Sequence, residues 1–298
     1  MSKNDRKKLL SIIIPTINKE EVLIRCINSI KAANKNNRLD VIVVDDHSSD
    51  QSYKLLNRKH SDVKLILHDR NKGFGASCND GIREAKGDII ILLNDDTIVA
   101  ENWLSEIIKP LNDERCGIST CKILFMEKKN GKDVIWYAGG FLSPFLPRIS
   151  WHRGYKELDL GQYDKGEKVS FASGCAIAFR KDLIDKVGLF DERFFLYFED
   201  VDLSVRALRA GYYIYYNPNT VVWHAESMST KRESPFWIYH RERSRFIFIK
   251  KNFVYLLPLF ILYFIVFYFP QSIWFAIKNR NLNLIPASLS GFIHGLIE

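Results

Sequence analysis

An alternation near the start of the chain restricts the fold more than any other feature. Apolar runs at residues 11–15 (SIIIP), 41–44 (VIVV), 63–67 (VKLIL) and 88–93 (DIIILL) are separated by stretches with helical patterning. Val22, Ile24, Ile27 and Ile30 mark the first of these stretches, and residues 53–59 and 76–85 form the second and third. Short apolar runs without polar alternation read as strands buried on both faces. Their repetition with intervening helices predicts an α/β chain built on a mostly parallel sheet flanked by helices. In such sheets ligands collect outside the carboxyl ends of the strands. Polar residues gather there: Pro15 and Thr16 after the first run, Asp45 to Asp50 after the second, and Asn94, Asp95 and Asp96 after the fourth.

Beyond about residue 115 the pattern becomes mixed. Apolar residues 117–125 precede a Gly/Pro-rich loop at 139–154, a strand near 170–179, a helix over 200–210, and strands at 212–216 and 220–223. Three sections are expected: 1–115, 116–235 and 236–298. In the last, residues 252–277 carry no charge, long enough against the roughly 20 residues that a spanning helix needs. Pro258 and Pro270 would kink a spanning helix or mark a re-entrant or interfacial one. Before them, Arg241, Arg243, Arg245, Lys250 and Lys251 interleave with Phe246, Ile247, Phe248 and Ile249. That combination suits an anionic cytoplasmic leaflet; the alternative is a buried helical hairpin in the core.

The net charge of +8 calls for an anionic partner of some kind. Its clustering beside the apolar tail, without a recognition module, favours a membrane surface over nucleic acid. Five scattered cysteines without a C-x-x-C pair form neither a disulfide framework nor a zinc knuckle, which points to a reducing compartment. Lys3, Arg6, Lys7 and Lys8 precede an apolar run that ends at Pro15, too short for a signal-peptide core, so a cytoplasmic start is expected. The sequence leaves the oligomeric state open.

Several groups can carry chemistry. Asp45 and Asp46 can accept hydrogen bonds from a base and a ribose, while Ser48, Ser49 and Asp50 are equally good helix caps. Asn71-Lys72-Gly73-Phe74-Gly75-Ala76 leaves room for a phosphate at a helix N-terminus, or forms a plain turn. Asp95 and Asp96 follow a buried strand and suit Mg2+ or Mn2+, which prefer carboxylate oxygen; a solvated turn before a helix near Glu101 explains them as well. In Tyr197-Phe198-Glu199-Asp200-Val201-Asp202, bulky neighbours would desolvate the carboxylates and raise their basicity, as a general base requires. Asp200 can also be a helix cap. His224 ends an apolar strand, where a single histidine is more often structural than a ligand.

Taken in order, IIIPTIN, VIVVDDHSSD, RNKGFGASCNDGI, GDIIILLNDDT, the run from SGCAIAF to LRAGY, and VVWH resemble the inverting glycosyltransferases of family 2, with a GT-A fold. The likeness covers residues 11–251 and is nearest to bacterial rhamnosyl- and galactofuranosyl-type transferases of surface polysaccharide assembly. It implies that 1–115 is the nucleotide-sugar half, 116–235 the acceptor and catalytic half, and 236–298 a membrane-associated segment. Pro15, Thr16, Asp45, Asp46, Gly73 and Asp95 would then line the donor. Asp96, matching the last acid of the D-x-D motif, would bind a divalent cation with His224. Asn94 replaces the motif's first acid and would ligate weakly or through water. Asp200 would be the base, with Glu199 beside it. The implied reaction moves a sugar from a nucleotide diphosphate, with deoxythymidine diphosphate rhamnose the first expectation and a uridine diphosphate sugar the second. Its acceptor would be a lipid-linked or growing glycan at the cytoplasmic face of the membrane. Trp136, Tyr137 and Trp151 could stack on acceptor sugar or simply pack. Two rivals share the fold: a catalytically silent sugar-nucleotide-binding or scaffold protein, and a nucleotidyltransferase. The latter expects a Gly-rich phosphate loop after the first strand, where this chain has PTINKEE.

Overall fold

A computed structural model describes residues 9–35, 37–50, 52–143, 145, 149–225 and 234–298. Lys3, Arg6, Lys7 and Lys8 lie outside the described residues, as do positions 144 and 146–148 of the Gly/Pro-rich loop. The N-terminal alternation folds as β1 (Leu9–Thr16), α1 (Glu20–Ala33), β2 (Arg38–Asp45), α2 (Ser52–Lys59), β3 (Lys64–Leu67), α3 (Phe74–Glu84) and β4 (Ile89–Leu93). There follow β5 (Thr97–Val99), α4 (Trp103–Ile108), β6 (Cys116–Phe125), β7 (Ile135–Tyr137), β8 (Gly140–Leu142), β9 (Ser150–His152) and β10 (Glu167–Val169). The chain continues through β11 (Ala176–Arg180), α5 (Lys181–Val187), α6 (Glu199–Arg209), β12 (Tyr213–His224), α7 (Pro235–Asn252), α8 (Leu257–Tyr263), α9 (Phe269–Lys278) and α10 (Leu284–Ile297).

Among the described residues the main sheet path is β10-β12-β6-β11-β4-β1-β2-β3, with β5 on β12 and β7 on β6. β1 pairs parallel with β2 and β4, and β2 parallel with β3. Leu10, Ile12, Ile13 and Ile14 are all fully buried, as a strand covered on both faces requires. β11 is antiparallel to β4 and β6, while β12 returns parallel to β6. All the parallel strands β1 to β4 therefore end on one edge, where Thr16, Asp45 and Asn94 sit.

Local periodicity misreads some elements. The strand expected from 170 starts only at Ala176, because residues 173–175 bend away from the ladder. The two strands expected at 212–216 and 220–223 are one strand, β12, with a register shift between Asn217 and Val221. Pro218 lies in that shift and has no N–H to give the ladder, which the bulge accommodates. The turn expected after Asp96 instead opens into β5, whose partner β12 lies more than a hundred residues away.

One hydrophobic core runs from the parallel strands to Phe246, Ile247, Phe248 and Ile249 of α7, and on to Phe260 and Phe264. Residues Val254–Lys278 form one continuous apolar helix of 25 residues, with a π-helical turn at Phe264–Tyr268 joining α8 to α9. Pro258 follows a 3-10 turn close to the helix start, where a missing N–H costs little, and the wider π turn just ahead of Pro270 accommodates that mid-helix proline. Neither proline breaks the helix.

Candidate active site

The first acidic pair divides its work. Asp45, at the end of β2, is buried, and its Oδ1 accepts the Ser48 N–H at 2.8 Å. Asp46 accepts the N–H groups of Lys72 at 2.8 Å and Gly73 at 2.9 Å, and its Oδ1 lies 2.8 Å from His68 Nδ1. It thereby brackets the loop before α3. Ser49 donates its N–H to Asn18 Oδ1, tying the two loops beyond β1 and β2 together. Gly73 has φ +88°, and a Cβ there would lie 2.4 Å from the Phe195 carbonyl oxygen. The same carbonyl accepts the Phe74 N–H at 3.1 Å. Donors at the N-terminus of α3 are thus spent on Asp46 and on the segment that leads to Asp200.

The second group is built around Thr16, Asp95 and Asp96. Pro15 pairs with Val44 in the β1–β2 register, and Thr16 Oγ1 donates to Asp95 Oδ2 at 2.7 Å. Lys19, just ahead of α1, has 6% of its side chain exposed and donates to Asp96 Oδ2 at 3.1 Å. No motif drew attention to this lysine; only the fold brings it to the acid 77 positions away. Burial, then the neighbouring Asp96 charge, pushes the Asp95 carboxyl up to about 7. Burial also acts upward on Asp96, but His224 and Lys19 outweigh it and hold that carboxyl at about 2.

His224 arrives from the far end of β12, held between β5 and β6 through its pairings with Thr97 and Phe125. Its Nε2 lies 3.0 Å from Asp96 Oδ1. The contact is not aligned as a hydrogen bond, which leaves Asp96 Oδ1 buried without a hydrogen-bonding partner; His224 Nδ1, the ring nitrogen away from this contact, is likewise buried and unpartnered. Trp136 packs edge-on against the His224 ring at 4.7 Å and fixes its orientation. Tyr137 is fully buried and donates to the Phe171 carbonyl, and Trp151 stacks on Phe141, so packing accounts for both.

The orphaned Asp96 Oδ1 tests whether a divalent cation suits these residues. Neighbouring ligands of an octahedral ion with bonds of about 2.1 Å are separated by about 3.0 Å. The oxygen and the imidazole nitrogen stand at that spacing, with Lys19 on the other carboxylate oxygen. Among the described residues no group of three or more His, Cys, Asp or Glu side chains is arranged to hold a metal ion by itself. Two protein ligands are compatible with Mg2+ or Mn2+, which commonly retain water and substrate phosphate in their shell. Asn94 engages through its backbone, donating to the Cys175 carbonyl at 3.0 Å and accepting from Thr97 Oγ1.

A single bend links the third group to this one. Gly174, next to Cys175, donates its N–H to Asp200 Oδ2 at 2.8 Å, while Val201 N–H donates to Oδ1. Adjacent residues Gly174 and Cys175 therefore join Asp200 to Asn94. The buried Cys175 thiol registers the convergence: burial raises its pKa first, and the charges of both Asp96 and Asp200 raise it further. Burial raises the pKa of half-buried Asp200. Glu199 is buried with Oε2 unpartnered, and burial followed by the Asp200 charge pushes its carboxyl well up. Asp200 lies inside the first turn of α6, and the capping position is Phe198. Tyr197 and Phe198 both take φ of 70°, a conformation costly for bulky residues, so the segment ahead of Asp200 is strained. The third acid, Asp202, is fully buried among Arg206, Lys251 and Asn252, and serves to tie α6 to α7.

The glycosyl transferase family 2 model matches residues 11–188, more than half of the chain. The chain belongs to glycosyltransferase family 2. An N-acetylglucosaminyl-diphospho-decaprenol L-rhamnosyltransferase of Mycobacterium tuberculosis is 28% identical over 232 residues, covering 71% of this chain and 74% of that protein. The O-antigen biosynthesis protein RfbC of Myxococcus xanthus is 26% identical over 242 residues, 77% of this chain and 18% of that protein. Among solved structures, S. aureus TarS 1-349 in complex with UDP-GlcNAc superposes with a TM-score of 0.58 at 19% identity, covering 97% of this chain and 81% of that one. The mannosyltransferase PcManGT from Pyrobaculum calidifontis, in complex with GDP-Man and Mn2+, gives 0.57 at 18% identity, with coverages of 96% and 74%. The fold is GT-A, and the protein is a glycosyltransferase.

Proposed function

We propose that this family 2 enzyme is a divalent-cation-dependent, inverting glycosyltransferase acting on a lipid-linked or growing surface glycan at the cytoplasmic face of the membrane. One observation carries the reading: the Gly174–Cys175 bend binds Asp200 through the Gly174 N–H and the Asn94 backbone through the Cys175 carbonyl, which brings Asp200 to the segment that bears Asp96 and its neighbour His224. A silent binding module has no use for a desolvated carboxylate opposite a cation ligand. Asp45 and Thr16 hold the nucleoside beside Pro15, and Asp46 keeps the Gly73 loop closed against the segment of the base. Asp96 and His224 would hold Mg2+ or Mn2+, with Asn94 and Asp95 at its edge. A cation bound there would neutralise charge on the departing diphosphate.

The chain's own groups carry the proton. Asp200, whose raised pKa improves its basicity, takes the proton of the acceptor hydroxyl. That oxygen forms a bond to the anomeric carbon as the carbon's bond to the diphosphate oxygen breaks, and the nucleoside diphosphate leaves from the opposite face. The electrons of the broken bond go with the diphosphate, so one base suffices and configuration inverts. Glu199, buried beside Asp200, has its carboxyl pushed well up by burial and then by the Asp200 charge. The rhamnosyltransferase relative supports transfer of a rhamnosyl group to a polyprenyl-linked acceptor, which makes deoxythymidine diphosphate rhamnose the first donor to try and a uridine diphosphate sugar the second. The apolar helix Val254–Lys278 supports attachment to an anionic membrane surface.

The test is nucleotide release over a panel of sugar nucleotides with Mg2+, Mn2+ or chelator, comparing the intact protein with Asp200→Asn. Turnover should require the cation and fall about 10²–10⁴-fold in the variant, the usual worth of a general base. Undiminished turnover in Asp200→Asn overturns the assignment of the base.

A further inference from the structure

We propose that the helix Val254–Lys278 lies in the plane of the membrane interface, alongside α7, and does not cross the bilayer. This rests on the reading that the tail attaches to the membrane. By length alone crossing is feasible, since 25 residues at about 1.5 Å each exceed the hydrocarbon thickness of about 30 Å. The packing forbids it.

The helix runs antiparallel to α7 over its length. Phe264 meets Phe246 at 5.7 Å, Tyr268 lies under the Arg245 guanidinium at 4.2 Å, and Ala276 clusters with Ile238 near the start of α7. α10 closes the bundle: Phe292 stacks on Phe264 at 4.1 Å, and Ser288 lies 3.3 Å from Ser272. Gly291 and Gly295 bring α10 against α7 so closely that added Cβ atoms would fall 2.4 Å from the Tyr239 carbonyl oxygen and 2.6 Å from that of Arg243.

α7 in turn is fastened to the catalytic domain from end to end. Trp237 packs on Tyr197, Ser244 Oγ donates to the Leu196 carbonyl at 2.7 Å, and Lys251 reaches Asp191 and Asp202. Glu242, fully buried, is paired with Arg241 and Arg245. If the apolar helix crossed the bilayer in this packing, α7 and the irregular segment 191–198 would be carried to hydrocarbon depth. Irregular backbone and ion clusters have no place there unless protein surrounds them.

The helix is two-sided in the way an interfacial helix must be. Phe260, Phe264, Ser272 and Ala276, spaced by multiples of four, are buried. The other side exposes Leu262, Ile265, Val266, Phe267, Trp274 and Ile277, each by roughly half or more. So large an apolar face marks an interaction surface. Its border identifies the occupant: Lys278 sits 5.0 Å from the Trp274 ring, and Arg280 is exposed just beyond. Tryptophan and cations beside an apolar face complement anionic headgroups over acyl chains, whereas a second copy would present the same cations. Because α7 also braces Leu196 and Tyr197, in-plane docking sets the base-bearing segment beside the bilayer that carries a lipid-linked acceptor.

All five native cysteines are buried, which leaves a quiet background for thiol labelling. Asn283→Cys and Asn279→Cys, at the turn before α10, are each compared with Lys35→Cys on the catalytic domain, using a membrane-impermeant maleimide on sealed vesicles of both orientations. The turn and the domain should react from the same side and be protected together on the other. Reaction of the turn from the opposite side overturns the in-plane helix and leaves attachment standing. So does labelling at the turn only after detergent is added. In parallel, intact protein should co-sediment with phosphatidylglycerol vesicles more strongly than with phosphatidylcholine vesicles. A detergent-free soluble dimer that binds neither vesicle overturns attachment and this inference together.

Discussion

Replacing Lys19 by methionine keeps most of the side chain's volume and removes one charge from a closed site. Lys19 and Asp96 each have 6% of their side chains exposed and lie 3.1 Å apart, so solvent screens the pair very little. Breaking a buried pair from one side costs about 3–5 kcal/mol, because the remaining charge is left uncompensated. Protonation sets a ceiling: at pH 7, neutralising a carboxyl of ordinary pKa near 4 costs about 4 kcal/mol, three units at about 1.4 each. The expected loss is therefore about 3–4 kcal/mol. At about 2–4 °C per kcal/mol, Tm in chelator should drop by roughly 6–16 °C. The sign with pH follows from the Asp96 carboxyl, which stands at about 2 in the folded protein, below its ordinary value. Its pairing stabilises the fold above the ordinary pKa and is lost as pH falls toward 2, so the gap between variant and parent narrows in that direction. A cation at the orphaned Asp96 Oδ1 would restore the missing positive charge, so adding Mn2+ should raise the Tm of Lys19→Met more than that of the parent. Differential scanning calorimetry with and without Mn2+ reads both effects. A drop of less than about 2 °C in chelator, well below that range, would mean that the pair contributes little. Equal Mn2+ shifts in the two proteins would refute a cation site at Asp96.

Three further outcomes follow from the same geometry. Asp95, pushed up to about 7, loses stability for the fold as pH rises from its ordinary value near 4 toward 7. Asp95→Asn should therefore melt above the parent at pH 8, the difference closing toward pH 5; a lower Tm at pH 8 contradicts this. The proposed base Asp200 would have to be ionised to act, and burial raises its pKa, so kcat should fall on the acid side through a limb above the ordinary carboxylate range. Asp200→Asn should lack that limb in its residual turnover. Gly73→Ala places a Cβ 2.4 Å from the Phe195 carbonyl at φ +88°, so it should destabilise by more than about 1 kcal/mol and also lower kcat, because the displaced segment carries Asp200. Chemical denaturation and steady-state rates on the same preparation would expose a purely catalytic or purely structural effect.

Much of the fold, and the sheet edge on which the candidate residues stand, is legible in the sequence. The runs in β1, β2 and β4 are apolar on both faces, and the residue following such a run lies on the ligand edge of a parallel sheet; β3, at the end of the sheet, is only half-covered. That reasoning reaches Thr16, Asp45, Asp46, Asp95 and Asp96 without knowledge of what faces them. It failed for β5, for the bend at 173–175 and for Lys19, whose roles depend on partners tens of residues away or more. The phosphate reading of residues 71–76 was locally reasonable, yet the N–H groups of Gly73 and Phe74 go to Asp46 and to Phe195.

The alternation of apolar runs and amphipathic helices determined the α/β class, the ligand edge, and a tail too apolar for ordinary solvent exposure. Those properties follow from burial and periodicity, which act between near neighbours in the chain. Tertiary structure alone decided that His224 turns toward Asp96, that Lys19 neutralises the other oxygen, and that Gly174 and Cys175 join Asp200 to Asn94. It also decided that the apolar helix folds back along α7. Each of these is a meeting of side chains from separate elements, fixed by the order and direction of strands and helices, and no local pattern encodes that order.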